Sequence, residues 1–216
     1  MRQRLLPLVL RIIQARDRRR LRRLERLHPG LHIDRSASTN LACARFELAP
    51  GAELRVGAGV VTERMPGALV FRIESGGSIE IGAGTWLRTE CEPIYLAAFE
   101  RARLRIGAGS WLSGCHLSAK TSVTLGRGAW VGPGCRVFDA DQHALDAETP
   151  ERRAPDELGD HDWNTTDVTI LRGVRVGDHS VVGARSVVVR DVPPHSLAVG
   201  VPAEVRGPVG DRTNVR

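Results

Sequence analysis

Aromatic residues are scarce: four Trp, four Phe and one Tyr in 216 residues. A core so poor in rings has to be filled by Val, Ile, Leu and Ala. Lysine is scarcer still, with Lys120 alone against 30 arginines. None of the four cysteines, Cys43, Cys91, Cys115 and Cys135, stands in CxxC spacing, which excludes zinc-ribbon and thioredoxin sites. Small buried fillers are their expected role. The longest uncharged run of the N-terminal segment is Leu5 to Leu10, broken by Pro7, far short of the roughly 20 apolar residues that span a bilayer. No small-residue cleavage pattern follows it, so a cytoplasmic protein is expected. Glycine is abundant, at 23 residues. Few rings and many glycines suit a repetitive, turn-rich β architecture.

The formal net charge of +6 is unevenly placed. Residues 1–30 hold ten arginines against Asp17 and Glu25, a net +8, which leaves −2 for the remaining 186 residues. A basic footprint spread over the fold is absent, and with it the expectation of a nucleic-acid partner. Leu8, Val9, Ile12 and Ile13, preceded by Leu5 and followed by Leu21, Leu24 and Leu27, recur at helical spacing among the arginines. The spacing predicts a basic amphipathic helix over 1–30, stopped at His28-Pro29-Gly30. Such a helix packs on its own oligomer or lies peripherally on an anionic membrane face, at the inner side of the membrane.

The strongest pattern is internal repetition. Leu54-Arg-Val-Gly-Ala-Gly, Ile79-Glu-Ile-Gly-Ala-Gly, Leu104-Arg-Ile-Gly-Ala-Gly and Val123-Thr-Leu-Gly-Arg-Gly line up, with aliphatic–glycine pairs at Val56, Ile81, Ile106 and Leu125. A step of six runs through Leu125, Val131 and Val137, and another through Ile170, Val176, Val182 and Val188. Aliphatic, small, then four mostly polar residues is a hexapeptide repeat. It predicts a short strand and a tight turn per hexad, with the aliphatic pointing into a narrow shaft and three hexads closing one coil. A β-sandwich does not hold such a ladder. The expected fold is an all-β solenoid with an N-terminal α-helix, its body over 31–206 and a flexible tail over 207–216.

The ladder breaks between Val137 and Ile170. That excursion, placed at 138–167, is where function is sought. Asp139, Asp141 and His143 alternate, so on an extended segment they share one face. A solvated loop, an acid–base pair and a metal site all use this pattern.

Four segments then resemble one family. Val137-Phe-Asp-Ala-Asp-Gln-His-Ala-Leu-Asp is similar to the D-x-H-x-L-D segment of the hexapeptide-repeat acyltransferases of the sugar O-acetyltransferase type. Trp163 to Gly177, Val182 to Pro194 and Gly200-Val-Pro-Ala resemble the family's later motifs, in order. The match covers roughly residues 104–206. The resemblance implies a left-handed parallel β-helix, a homotrimer with a site in each cleft between copies, and acetyl-CoA as donor without a metal. It implies transfer of the acetyl group to a hydroxyl of a sugar or polysaccharide precursor. It makes His143 the general base, with Asp141 or Asp139 orienting its ring. It places Trp163 by the acceptor and thioester, and the backbone of Thr166 and Ala184 along the pantetheine. Val189 and Arg190 fall by the nucleotide and Pro202 near the adenine.

The chain departs from the family at Asn164 and Thr165, where an aliphatic and a glycine are usual, and at Arg185, where glycine is common. It departs again at Glu204, where relatives often have a base for the CoA phosphates; Arg206 is the substitute. A non-catalytic hexapeptide scaffold is the alternative function. A γ-carbonic-anhydrase-like metal enzyme needs three converging histidines, of which His116 and His143 supply two.

Overall fold

The computed structural model describes residues 2–215, and side chains from residue 7 on. The backbone visits three parallel sheets in rotation. Sheet one holds Leu31–Ile33, Glu53–Val56, Ser78–Ile81, Arg103–Ile106, Ser122–Leu125, Asp156–Leu158 and Arg175–Val176. Sheet two runs Val61–Thr62, Trp86–Arg88, Trp111–Ser113, Trp130–Val131, Trp163–Asn164, Val181–Val182 and Ser196–Gly200, closed by the antiparallel Ala203–Pro208. Sheet three holds Arg45–Leu48, Leu69–Ile73, Ile94–Ala98, His116–Ala119, Arg136–Phe138, Thr169–Leu171 and Val187–Val188. Except at the two ends, each strand pairs with the strand three places along the chain, so successive turns of the chain stack into a three-sided coil.

The repeat explains the register. Val56, Ile81, Ile106, Leu125, Leu158 and Val176 are consecutive partners on sheet one. Leu125, Val131 and Val137 are one inward residue on each sheet in turn, and all three are buried. Branched aliphatics fill this shaft because a ring at every step would not fit so narrow a core. At the corner between sheets one and two the backbone is left-handed at every coil. Gly59, Gly84, Gly109 and Gly128 hold that position first; His161, His179 and His195 hold it later at φ of 55–56°. Glycine adopts this conformation without strain, whereas a histidine there needs help from its surroundings.

The N-terminal helix spans Arg2–Leu27. Its second half docks: Leu21 is buried, Asp17 is buried against Arg64, and Glu25 accepts the Ile33 N–H at 3.0 Å. Leu8, Val9, Leu10 and Ile12 remain exposed on the first half. The Leu5 side chain of the expected apolar stripe lies outside the described residues. No helix among the described residues is long and apolar enough to cross a membrane. Cys115 and Cys135 are buried fillers, and desolvation pushes the Cys135 thiol up to about 11. Cys91 is exposed, so the filler role does not extend to it.

The excursion is narrower than the broken ladder implied. Asp156–Leu158 and Trp163–Asn164 are regular strands, paired on both sides. Only 139–155 leaves the coil. The ladder was hidden because polar residues occupy inward positions there: Asp156 stands where Val123 stands one coil earlier, and Asn164 where Val131 does. The C-terminal tail folds back against the coil. The Arg212 N–H donates to His179 Nδ1 at 3.1 Å and its guanidinium lies over Trp130 and Trp163.

Candidate functional site

The excursion leaves sheet three after Phe138 and returns to sheet one at Asp156, so it projects from the corner between those sheets. Its stem is a short antiparallel ladder: Asp141 N–H donates to Arg152 at 3.0 Å, Ala154 N–H to Asp139 at 2.9 Å, and Ala140 pairs with Arg153. His143 begins the exposed tip and makes no side-chain hydrogen bond among the described residues.

The two aspartates serve other partners. Asp139 is fully buried and accepts the backbone N–H groups of Lys120, Thr121 and Ser122 at 2.7, 2.7 and 2.6 Å. Its carboxylate ties the foot of the excursion to the coil beneath. Asp141 pairs with Arg172 at 2.5 Å. Neither hydrogen-bonds to His143, so alternation along the chain did not translate into a shared contact; the stem turns their side chains to different neighbours.

Lys120, its partner Glu151 and Arg172, which sequence reasoning passed over, hold the loop. The lone lysine, Lys120, is nearly buried, lies over the Phe99 ring, and donates to the Gln142 carbonyl at 2.8 Å and to Glu151. It clamps both sides of the tip. Its isolation among 30 arginines was the available signal: a slender ammonium reaches a carbonyl where a planar guanidinium needs more room. Arg172 is the third clamp, through Asp141.

The expected donor residues lie elsewhere on the coil. Thr166 and Ala184 are exposed at the corner between sheets two and three. Asp167 and Arg185 take left-handed backbone at that corner, at φ of 56° and 60°, and the Arg185 N–H donates to the Thr166 carbonyl at 2.9 Å. Glycine is the natural residue for that geometry, which accounts physically for its frequency in the resembling motif. Val189 and Arg190 follow sheet three and are exposed at the same corner line as the excursion; Pro202 is exposed near the chain's end. Arg206, expected to stand in for the base that relatives carry at the Glu204 position, is paired with Glu204 itself at 3.0 Å.

Trp163 projects from sheet two, which lies across the coil from the excursion. One chain therefore does not bring His143 and Trp163 together. Trp86, Trp111, Trp130 and Trp163 are register partners and form one row on the outside of this sheet. His116, weighed as a metal ligand, is held edge-on between Tyr95 and Phe138 on sheet three, and burial with Arg136 nearby lowers its pKa. His161, His179 and His195, at successive left-handed corners, stack at 5.3 and 4.8 Å. Among the described residues no group of three His, Cys, Asp or Glu side chains is placed to hold a metal ion.

Beneath Trp163 the coil does not distort at Asn164. The amide turns inward and donates to Asp162 at 2.5 Å. Burial pushes the Asp162 carboxyl up to about 8, partly offset by that hydrogen bond. Burial, together with the nearby Asp139, raises Asp156 to about 7. Both groups are neutral in the fold over a range where the unfolded chain, with aspartate pKa near 3.9, ionises them. The unfolded state then binds fewer protons, so the stability they contribute is complete below pH about 4 and is lost as pH rises to about 8. We expect wild type to lose ground against Asp162→Asn across that window, by at most about 1.4 kcal/mol per pH unit. Urea melts at pH 5 and pH 8 measure this; a constant difference between the two proteins contradicts it.

No protein-family model matches the chain. A Staphylococcus aureus (strain Mu50) protein, classed by name only as an acetyltransferase, is 38% identical over 107 residues, covering 39% of this chain and 54% of that protein. The chain thus spans about half the length of the curated relatives it matches. The structure of galactoside acetyltransferase in complex with coenzyme A is 28% identical, with a TM-score of 0.50, over 56% of this chain and 61% of that one. The polySia-specific acetyltransferase NeuO shares the fold over 88% of this chain and 92% of its own, with a TM-score of 0.62 at 19% identity. Over the matched region the chain is similar in sequence to acetyltransferases, and the path of its backbone is that of hexapeptide-repeat acetyltransferases.

Proposed function

We propose that this chain is an acetyl-CoA-dependent O-acetyltransferase acting on a hydroxyl of a sugar or polysaccharide precursor. We propose further that its coil is a left-handed β-helix and that it works as a homotrimer. The observation behind this is the separation of its parts. His143 stands free at one edge of the coil, while Trp163, Thr166 and Ala184 lie on the opposite face and the next corner. Such a set closes only when the excursion of one copy meets sheet two of another. The names of the related proteins, galactoside acetyltransferase and a polySia-specific acetyltransferase, point to saccharide hydroxyls.

The residues present suit a CoA thioester. The Thr166 and Ala184 corner is exposed, and Arg190 is in no ion pair among the described residues, leaving a positive charge for phosphate. When bound, the thioester supplies an activated acetyl carbon. His143 accepts the proton of the acceptor hydroxyl as its oxygen bonds to that carbon, and returns the proton to the departing sulfur. Lys120 and Arg172 hold the loop so that the imidazole needs little ordering at the moment of reaction. Exposed Leu8, Val9, Leu10 and Ile12 among arginines support contact of the helix with an anionic membrane face, which suits a precursor assembled there.

Calorimetric titration with acetyl-CoA tests the donor assignment. We expect one site per chain in spite of the Glu204–Arg206 pair. No binding at millimolar donor would leave a non-catalytic scaffold as the function.

A further inference from the structure

Four coils place glycine at the left-handed corner between sheets one and two, at Gly59, Gly84, Gly109 and Gly128. The next three place histidine there, at φ of 55–56°. A histidine held in that conformation is strained, and three in succession call for a reason.

The end of the chain supplies one. After the antiparallel strand Ala203–Pro208 the backbone runs back along this corner and bonds to those three coils in order. The Val209 N–H donates to the His195 carbonyl at 2.7 Å, the Arg212 N–H to His179 Nδ1 at 3.1 Å, and Arg212 Nε to the His161 carbonyl at 3.2 Å. The His179 ring is stacked between its two neighbours, with planes 9° and 17° apart, and presents Nδ1 to the tail. The Thr213 N–H donates to Asp211 Oδ1 at 2.7 Å, closing a turn around Arg212.

From this seat the Arg212 side chain reaches sheet two. Its guanidinium lies 5.5 Å from the Trp130 ring centre and 5.0 Å from that of Trp163. Arg212 is half-buried and in no ion pair among the described residues, so its charge is spent on the two indoles. Trp163 remains 37% exposed, so the guanidinium braces the ring without covering it.

We infer that residues 209–213 form a strap seated on the histidine corner, and that Arg212 is a positioning residue that fixes the Trp163 indole for acetyl transfer. This rests on the function proposed above, in which Trp163 stands by the acceptor and thioester. A ring already held needs no ordering at the moment of reaction, so losing the brace shows in turnover rather than in donor affinity.

Arg212→Gln, Arg212→Lys and His179→Gly are compared with the wild-type full chain. Arg175→Gln, which removes a guanidinium paired with Glu157 on sheet one, is the control. Acrylamide quenching of tryptophan emission reads the strap without the reaction, because two of the four tryptophans lie against Arg212. Calorimetry gives acetyl-CoA affinity, and initial rates with lactose, maltose and a sialic acid trimer give kcat and KM. We expect Arg212→Gln to raise quenching and to lower kcat about three- to tenfold, the range of a cation–aromatic contact, with acetyl-CoA affinity unchanged. Arg212→Lys should recover part of kcat, because an ammonium braces one ring but not two. His179→Gly restores the residue of the earlier coils, so stability in urea should not fall, yet quenching and kcat should move as in Arg212→Gln. Arg175→Gln should change none of these.

The inference is overturned if Arg212→Gln is quenched and turns over like wild type, if its lost rate tracks lost folded protein, or if the whole effect lies in acetyl-CoA affinity. It is also overturned if His179→Gly behaves as wild type, since the strap then has no seat there. A wild type that transfers acetyl while Arg212→Gln matches it loses the positioning role and keeps the proposed function. A wild type that transfers to none of the three saccharides removes both, and the wild type alone shows it.

Discussion

His143→Ala should lower acetyl turnover by about 10²–10⁴-fold, the usual value of a positioned general base, while leaving stability within about 0.5 kcal/mol. The asymmetry follows from where the side chain sits. His143 is exposed at the start of the excursion tip, and its ring makes no hydrogen bond among the described residues. Removing it opens no cavity and orphans no partner. The loop stays anchored by Asp139 below and by Lys120 across the tip. Turnover with a saccharide acceptor and a urea melt of the same preparation separate the two effects. A variant that melts like wild type and retains near-full turnover removes His143 from the chemistry. A variant that loses stability as well would show that the tip is held by the ring itself, against the contacts described.

Asp139→Ala should give the opposite signature: a loss of about 3–5 kcal/mol of stability, with any loss of activity following from it. Three backbone N–H groups, of Lys120, Thr121 and Ser122, converge on this one buried carboxylate. Truncation leaves all three without an acceptor in a site that water does not reach. Asp139→Asn keeps one carbonyl oxygen but turns an NH₂ toward the remaining donors, so it should recover only part of the loss. The midpoint of a urea melt checks this, with acetyl-CoA affinity of the folded fraction as a second readout. A structural anchor leaves that affinity near wild type once folding is corrected for. If Asp139→Ala melts normally, the three short contacts contribute little and the orienting role expected from the D-x-H pattern is restored.

How much of this was readable in the chain differs between coil and site. Val56, Ile81, Ile106 and Leu125 announce the coil, because a period set by backbone geometry repeats wherever the same stacking recurs. The same period fails at Asp156, Asp162 and Asn164, where inward positions carry polar side chains, and the excursion therefore looked longer than it is. Burial makes such residues expensive unless they are protonated or hydrogen-bonded, and both conditions depend on neighbours from other coils. Of the proposed site, His143 and Trp163 were visible through their motifs. The work of Lys120, Arg172 and Asp139 was not, since each acts on a partner 17 to 31 residues away.

The sequence by itself determined the three-sided repeat, the ring-poor shaft, the basic helix and the place where the ladder breaks. These are local or periodic properties, written in the spacing of aliphatics, glycines and arginines. Only the tertiary structure decided which carboxylates are anchors and that His143 and Trp163 occupy different sides of one chain. Those facts arise where coils meet. Register brings together residues with no periodic relation, and whether a polar atom is satisfied depends on the coil stacked beside it rather than on its own segment.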